Sequence, residues 1–295
     1  MTDLLVKNCL LSKNKDPQDI LIKGGVIKDI ASKISVDNIP VIDADFHFVT
    51  PPFVDSHFHM DATLSYGLPR VNKSGTLLEG IKLWGELKPN LTADAIKERA
   101  LKFCKWAIAR GTLAIRSHVD VSGQNLVGVE ALLDVRETMK DFIDIQLVAF
   151  PQDGLLRANC LNNLKAALDM GVDVVGGIPH FERTMEEGHE SIRILCEIAE
   201  KRGLLTDLHC DETDDPMSRH VEKLALETTR LGLKGRVAGS HLTSMHSIDN
   251  YYFTKLISLL VEADLNIIAN PLINITIQGR QDNYPKRRGL TRIPE

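Results

Sequence analysis

The sequence predicts an α/β fold: a (β/α)8-type barrel, incomplete at seven strands, with part of a small β domain ahead of it. Three observations carry this reading. From about residue 50 onward, strand-like apolar runs alternate with amphipathic helices. After the first, the runs recur at roughly 30-residue intervals, the length of a strand-loop-helix-loop unit. Six of the seven runs carry polar residues at or near their C-terminal ends. An open parallel sheet collects its site at one switch point, whereas a barrel collects it from many strand ends around one mouth. The distribution selects the barrel.

Residues 1–49 read as short β segments. LLVKNCLL, DILIKGGVIKDI and VDNIPVIDADFHFVT are rich in β-branched and apolar residues, with Gly24-Gly25 as a tight turn. The texture changes at Pro51-Pro52, and 50–295 is assigned to the barrel. Its strand candidates are 53–60, 112–121, 144–152, 173–180, 204–212, 236–243 and 265–274. Helices are expected between them. In 94–110, Ile96, Ala100, Leu101, Cys104, Ala107 and Ile108 share a face, and Gly111 stops the helix. Residues 190–202, ended by Gly203, and 249–264 show the same stripe. In 216–231, Pro216 suits a first turn, and Met217, Val221, Leu224, Thr228 and Leu231 form the apolar face. A full barrel takes about 250 residues; here the first unit occupies some fifty of 295, and seven strands are counted.

Composition narrows the function. With 43% hydrophobic and 25% charged residues, the chain is that of a folded protein and not a disordered one. A formal net charge of −5 excludes a general affinity for nucleic acid or an anionic membrane. The basic run Lys286-Arg287-Arg288 reads as a solvated loop. The opening residues show no secretory pattern, and no stretch approaches 18 uncharged apolar residues. Five scattered cysteines without a CxxC pair predict reduced thiols and a cytoplasmic location.

The strongest chemical signal is His57-Phe58-His59 on the first strand. Side chains two apart on a strand point the same way, so both imidazoles would enter the barrel mouth. Converging imidazoles suit a borderline divalent metal, zinc or ferrous iron. Paired histidines on an exposed strand are the plain alternative; the apolar frame of Phe53, Val54, Phe58 and Met60 argues against it. The second signal is LHCDE. His209 would add a third ligand from the fifth strand, and Glu212 would carry a proton between water and substrate. His241, at the end of the sixth strand, would bond the water or orient the leaving group. His118 reads as support behind the ligands. Gln152 sits where an amide can read a planar heterocycle. Cys210 points away by strand parity into packing, and His180 and His246 receive no role. The sequence contains no GxSxG, GxxxxGK[ST], HExxH or HxE…PCxxC motif. The fourth strand ends GGIPH without a lysine to bridge two metals, so one ion is expected.

The strings PPFVDSHFHMDATLSYG, SGTLLEGI, RSHVDVS, VAFPQDG, VVGGIPHFE, DLHCDE, SHLTSMHS and NPLINITIQGRQDNYPKRRG resemble bacterial cytosine deaminases of the amidohydrolase superfamily. The resemblance runs from about residue 50 to the end. It implies a metal-dependent TIM barrel with His57, His59 and His209 as ligands of one zinc or iron ion. Glu212 would be the acid/base that protonates the ring nitrogen, His241 the residue holding the attacking water, and Gln152 and His209 contacts to the substrate. The implied reaction converts cytosine to uracil and ammonia, a pyrimidine-salvage step on a small nucleobase, and analogy suggests a homo-oligomer. Isoguanine, 5-methylcytosine, creatinine or a triazine are rival substrates, which pocket residues near Leu77 and Gln152 would discriminate. A non-catalytic metal-binding barrel is the rival from another class; the presence of Glu212 and Gln152 speaks against it, because metal binding requires neither. The family carries a further strand ending in a metal-binding aspartate. The sequence stops at Ile293-Pro294-Glu295, so the expectation is a fragment with little activity.

Overall fold

The computed structural model describes residues 3–14, 16–284 and 289–294. The basic run at 286–288 and part of the YPKRRG string lie outside them. The chain divides into two compact units, Met1–Phe53 and Val54–Glu295.

The first unit is a four-stranded sheet of β1 (Leu4–Cys9), β2 (Gln18–Lys23), β3 (Val26–Ala31) and β4 (Val41–Asp43), in the order β3-β2-β1-β4. The β2–β3 hairpin turns at Gly24 and Gly25, whose φ angles of 59° and 79° favour residues without a Cβ. β4 pairs parallel with β1 over three residues only. The run at 36–50 is thus mostly loop, in keeping with the turn-forming Asp37-Asn38 and Asp43-Ala44-Asp45 around it.

The second unit alternates strands and helices: β5 (Phe53–Phe58), α1 (Leu77–Leu87), α2 (Ala93–Ala109), β6 (Thr112–Asp120), α3 (Val127–Met139), β7 (Asp144–Phe150) and α4 (Cys160–Asp169). Then follow β8 (Val174–Gly177), α5 (Met185–Arg202), β9 (Leu205–Cys210), α6 (His220–Arg230), β10 (Val237–His241), α7 (Asn250–Ala263), β11 (Asn266–Ile268) and α8 (Pro271–Ile277). The seven strands form one sheet in the order β11-β10-β9-β8-β7-β6-β5, with parallel pairing from β6 to β11. The sheet curls nearly into a barrel: His57 on the end strand β5 reaches Ser240 and His241 on β10, 183 and 184 residues away. The interior strands are buried on both faces, and so read as continuous apolar runs. Leu147, Val175 and Leu208 are fully buried against helix residues such as Leu132, Leu195 and Leu224.

Local signals set the helix ends. Thr76, Thr92 and Thr184 accept the Glu79, Ala95 and Glu187 amides at the starts of α1, α2 and α5, and Gly203 ends α5 at φ 68°. Two expected elements shift. The helix expected from Pro216 begins at His220, and Met217 is 63% exposed; its first turn is capped by Asp211, across a loop, not by a neighbour in sequence. The strand expected over 265–274 ends at Ile268, and Pro271 opens α8 as its first-turn residue. No described helix is long and apolar enough to cross a membrane. All five cysteines are free and buried; desolvation raises the thiol pKa of Cys104 to about 11 and of Cys196 to about 12.

Candidate metal centre

The strand ends bring four imidazoles together. One ligand nitrogen from each of His57, His59, His118 and His209 lies within 4.8 Å of the other three. His57 is on β5 and His59 just past its end, His118 is near the end of β6, and His209 is near the end of β9. Alternation aims them: Ser117 and Cys210, one position away, face other surroundings. Ser117 Oγ accepts the Met60 amide at 2.9 Å, and Cys210 packs in the apolar core.

His59 Nε2 and His209 Nε2 are 3.0 Å apart, and His57 Nε2 and His241 Nε2 3.1 Å apart. Desolvation, reinforced by repulsion among the imidazoles, pushes the pKa of His57, His59 and His209 well below the ordinary value. Neutral rings therefore crowd their nitrogens into one desolvated space. Both ring nitrogens of His118 and Nδ1 of His209 are buried with no hydrogen-bond partner among the described residues. Buried polar nitrogens without partners are costly. A divalent ion is the partner that such a set of lone pairs fits, and the donors suit it.

His241 joins this group by an exception to strand geometry. It closes β10 with φ 74°, and Leu242 follows at 49°. That left-handed turn lets consecutive residues serve one region: Ser240 Oγ meets His57 Nδ1, while His241 Nε2 meets His57 Nε2. His241 Nδ1 lies 3.0 Å from Glu212 Oε1, which also accepts Asn274 Nδ2–H at 3.1 Å. Burial opposes ionisation of Glu212, yet His241, with His180 and Asn274, holds its pKa below the usual carboxylate value.

Behind the imidazoles is a second layer. Asp207 accepts Ser240 Oγ–H at 2.7 Å and Arg116 Nη1–H at 3.0 Å, and its Oδ1 is 3.7 Å from His118 Nε2. Arg116 Nε–H donates to Gln146 Oε1 at 2.7 Å. Burial works against the Asp207 charge, but these partners keep its pKa low.

The expected residues thus meet unevenly. His57, His59, His209, His241 and Glu212 converge. Gln152 is half-buried in the loop after β7 and makes no hydrogen bond to that group among the described residues. That loop is pinned by Lys88 Nζ on Asp153 (2.6 Å) and by Glu182 on the Leu155 amide (2.6 Å). Leu77 is the half-buried first residue of α1. His180 is in a short turn after β8; both its nitrogens lack partners among the described residues, and burial pushes its pKa to about 4. His246 is exposed.

Sequence reasoning placed His118 behind the ligands, whereas the structure sets it among them. It did not find Asn274, Asp207, Ser240 or Arg116. Pro271 was the usable signal for Asn274, since it announces a helix and not a strand. Asp207 could be read from its two-residue spacing to His209. Nothing local marks Ser240.

The sequence pattern of the amidohydrolase family matches residues 40–295. Over 279 residues the chain is 32% identical to N-isopropylammelide isopropyl amidohydrolase of Pseudomonas sp. strain ADP, covering 90% of this chain and 67% of that one. It is 28% identical to pterin deaminase of Rhizobium rhizogenes, covering 94% and 64%. It thus spans about two thirds of the length of these relatives. Among solved structures it is similar to 5-methylcytosine deaminase from Klebsiella pneumoniae liganded with 5-fluorocytosine: TM-score 0.95 and 40% identity, over 98% of this chain and 71% of that one.

Proposed function

Because the chain belongs to the amidohydrolase family, we propose that it hydrolyses the exocyclic C–N bond of a cytosine-type aminopyrimidine, cytosine or 5-methylcytosine, releasing ammonia. The observation that carries this reading is Glu212, a buried carboxylate tied through His241 to the imidazole cluster. A site that only stored metal would have no use for a buried proton carrier there. The likeness to a 5-methylcytosine deaminase over 98% of the chain supports the choice of ring.

His57, His59 and His209, with His118 beside them, would hold one zinc or ferrous ion. When bound, it supplies Lewis acidity and lowers the pKa of water. The chain's own residues handle the protons. Glu212 takes a proton from the attacking water and passes it to ring N3 as the oxygen bonds to C4. His241, within 3.0 Å of Glu212, orients that carboxylate and holds the water. The remaining hydroxyl proton then moves through Glu212 to the amine, the C4–N bond breaks, and the carbonyl forms. Water and cytosine are consumed, uracil and ammonia leave, and Glu212 returns to its starting state. Gln152 would read the amide-like edge of the ring.

Relative rates of ammonia release test the substrate class. The metal-loaded protein is given cytosine, 5-methylcytosine, isoguanine, creatinine and an aminotriazine. The expected outcome is preference for the two cytosines. Preference for the triazine would overturn the choice of ring.

A further inference from the structure

Asp207 and Ser240 lie outside the proton-handling group, yet both are fully buried, Ser240 against His57 Nδ1 and Asp207 behind Ser240 with its Oδ1 3.7 Å from His118 Nε2. Asp207 is ion-paired with Arg116 and presents its oxygens as acceptors. Its Oδ2 takes Arg116 Nη1–H at 3.0 Å, and its Oδ1 takes Ser240 Oγ–H at 2.7 Å. A serine hydroxyl has one proton. Because Ser240 gives it to Asp207, Ser240 can only accept from His57 Nδ1, 3.1 Å away. That nitrogen must therefore carry hydrogen, and the lone pair of the neutral ring falls on Nε2, the atom that faces His241 Nε2 at 3.1 Å.

We propose that Asp207 and Ser240 are positioning residues: a carboxylate–hydroxyl–imidazole relay that fixes His57 as its Nδ1–H tautomer and presents Nε2 to the ion. The proposal rests on the reading of the histidine cluster as an ion site. The relay performs, through one intervening hydroxyl, what a directly bonded carboxylate performs behind many metal-bound histidines: it sets the tautomer, orients the ring and raises its basicity. Arg116, itself bonded to Gln146, holds the other oxygen of Asp207, and His118 Nε2 lies 3.7 Å from Oδ1, beyond hydrogen-bond length.

Two measurements on the purified protein test the relay. Zinc affinity, read by competition with a chromophoric chelator, should weaken roughly 10–100-fold in Ser240→Ala and recover most of that loss in Ser240→Thr, which restores the hydroxyl. Nitrogen-15 chemical shifts of the His57 ring, assigned by loss of signal in His57→Gln, should show hydrogen on Nδ1 in the unsubstituted protein without zinc. Unchanged zinc affinity in a folded Ser240→Ala variant, or hydrogen on His57 Nε2, would overturn the relay. Absence of zinc binding by the unsubstituted protein would instead overturn the ion site, and the nitrogen shifts would still decide the tautomer. Should Ser240→Thr fail to fold, those shifts decide between the two tautomers without it.

Discussion

Asp211 and Glu212 are consecutive acids, both buried, both paired with a histidine, yet their hydrogen bonding differs. Asp211 is saturated. Its oxygens accept Ser218 Oγ–H, the His220 amide and ring Nδ1–H, and the Val221 amide, all between 2.7 and 3.0 Å. Its own carbonyl accepts the Ser244 amide at 3.1 Å. Burial opposes its charge, and these donors overcome that and lower its pKa. It is the cap of α6 and the knot joining the ends of β9 and β10. Among the described residues Glu212 has two partners, His241 and Asn274, and both fall on Oε1. The same side-chain chemistry is saturated at Asp211, whereas among the described residues only one oxygen of Glu212 is hydrogen-bonded, as its proposed role of proton carrier requires. The chain leaves β9 at Asp211 with a left-handed φ of 51°.

The comparison can be broken from either side. The largest effect is expected for Glu212→Gln, which keeps the shape and removes the base: deamination should fall roughly 10²–10⁴-fold, while zinc content and melting temperature stay near those of the unsubstituted protein. Asp211→Ala should do the reverse. It strands two amides, a hydroxyl and a ring nitrogen in the interior, and denaturant unfolding should show about 3–5 kcal/mol lost. If Asp211→Ala left stability intact, or Glu212→Gln unfolded the chain, the two acids would not divide the labour in this way. A smaller effect sharpens the structural side alone. Gly188 on α5 passes so close to His220 that a Cβ there would lie 2.3 Å from its Nε2 and 2.6 Å from the Pro179 carbonyl. Gly188→Ala should cost about 1–3 kcal/mol by overpacking and should lower zinc affinity little, because the strain falls on the His220 side.

Much of this molecule is legible in its sequence. All seven barrel strands fall within their expected windows; the interior ones, buried on both faces, write themselves as apolar runs, whereas on β5 the apolar Phe53 and Val54 of the expected frame are 64% and 69% exposed. The bounds are least legible where strands are short: β4 and β11 hold three residues each, too few for a pattern to differ from a loop. His57, His59, His209, Glu212 and His241 are visible as polar residues at strand ends. The rest of the site is not, and the reason is distance along the chain. Asn274 reaches Glu212 across 62 residues and Ser240 reaches His57 across 183; neither residue carries a mark of that contact in its own neighbourhood.

By itself, then, the sequence determined the alternation of strands and helices and which polar side chains stand where strands end. Those follow from local periodicity, which each segment carries alone. Only the tertiary structure decided which lone pairs are satisfied: that His118 stands among the other imidazoles, that Asp211 is consumed as a cap, and that Asp207 and Ser240 stand behind His57. Hydrogen-bond satisfaction is a property of three-dimensional neighbours, and the curl of the sheet is what makes residues nearly two hundred positions apart into neighbours.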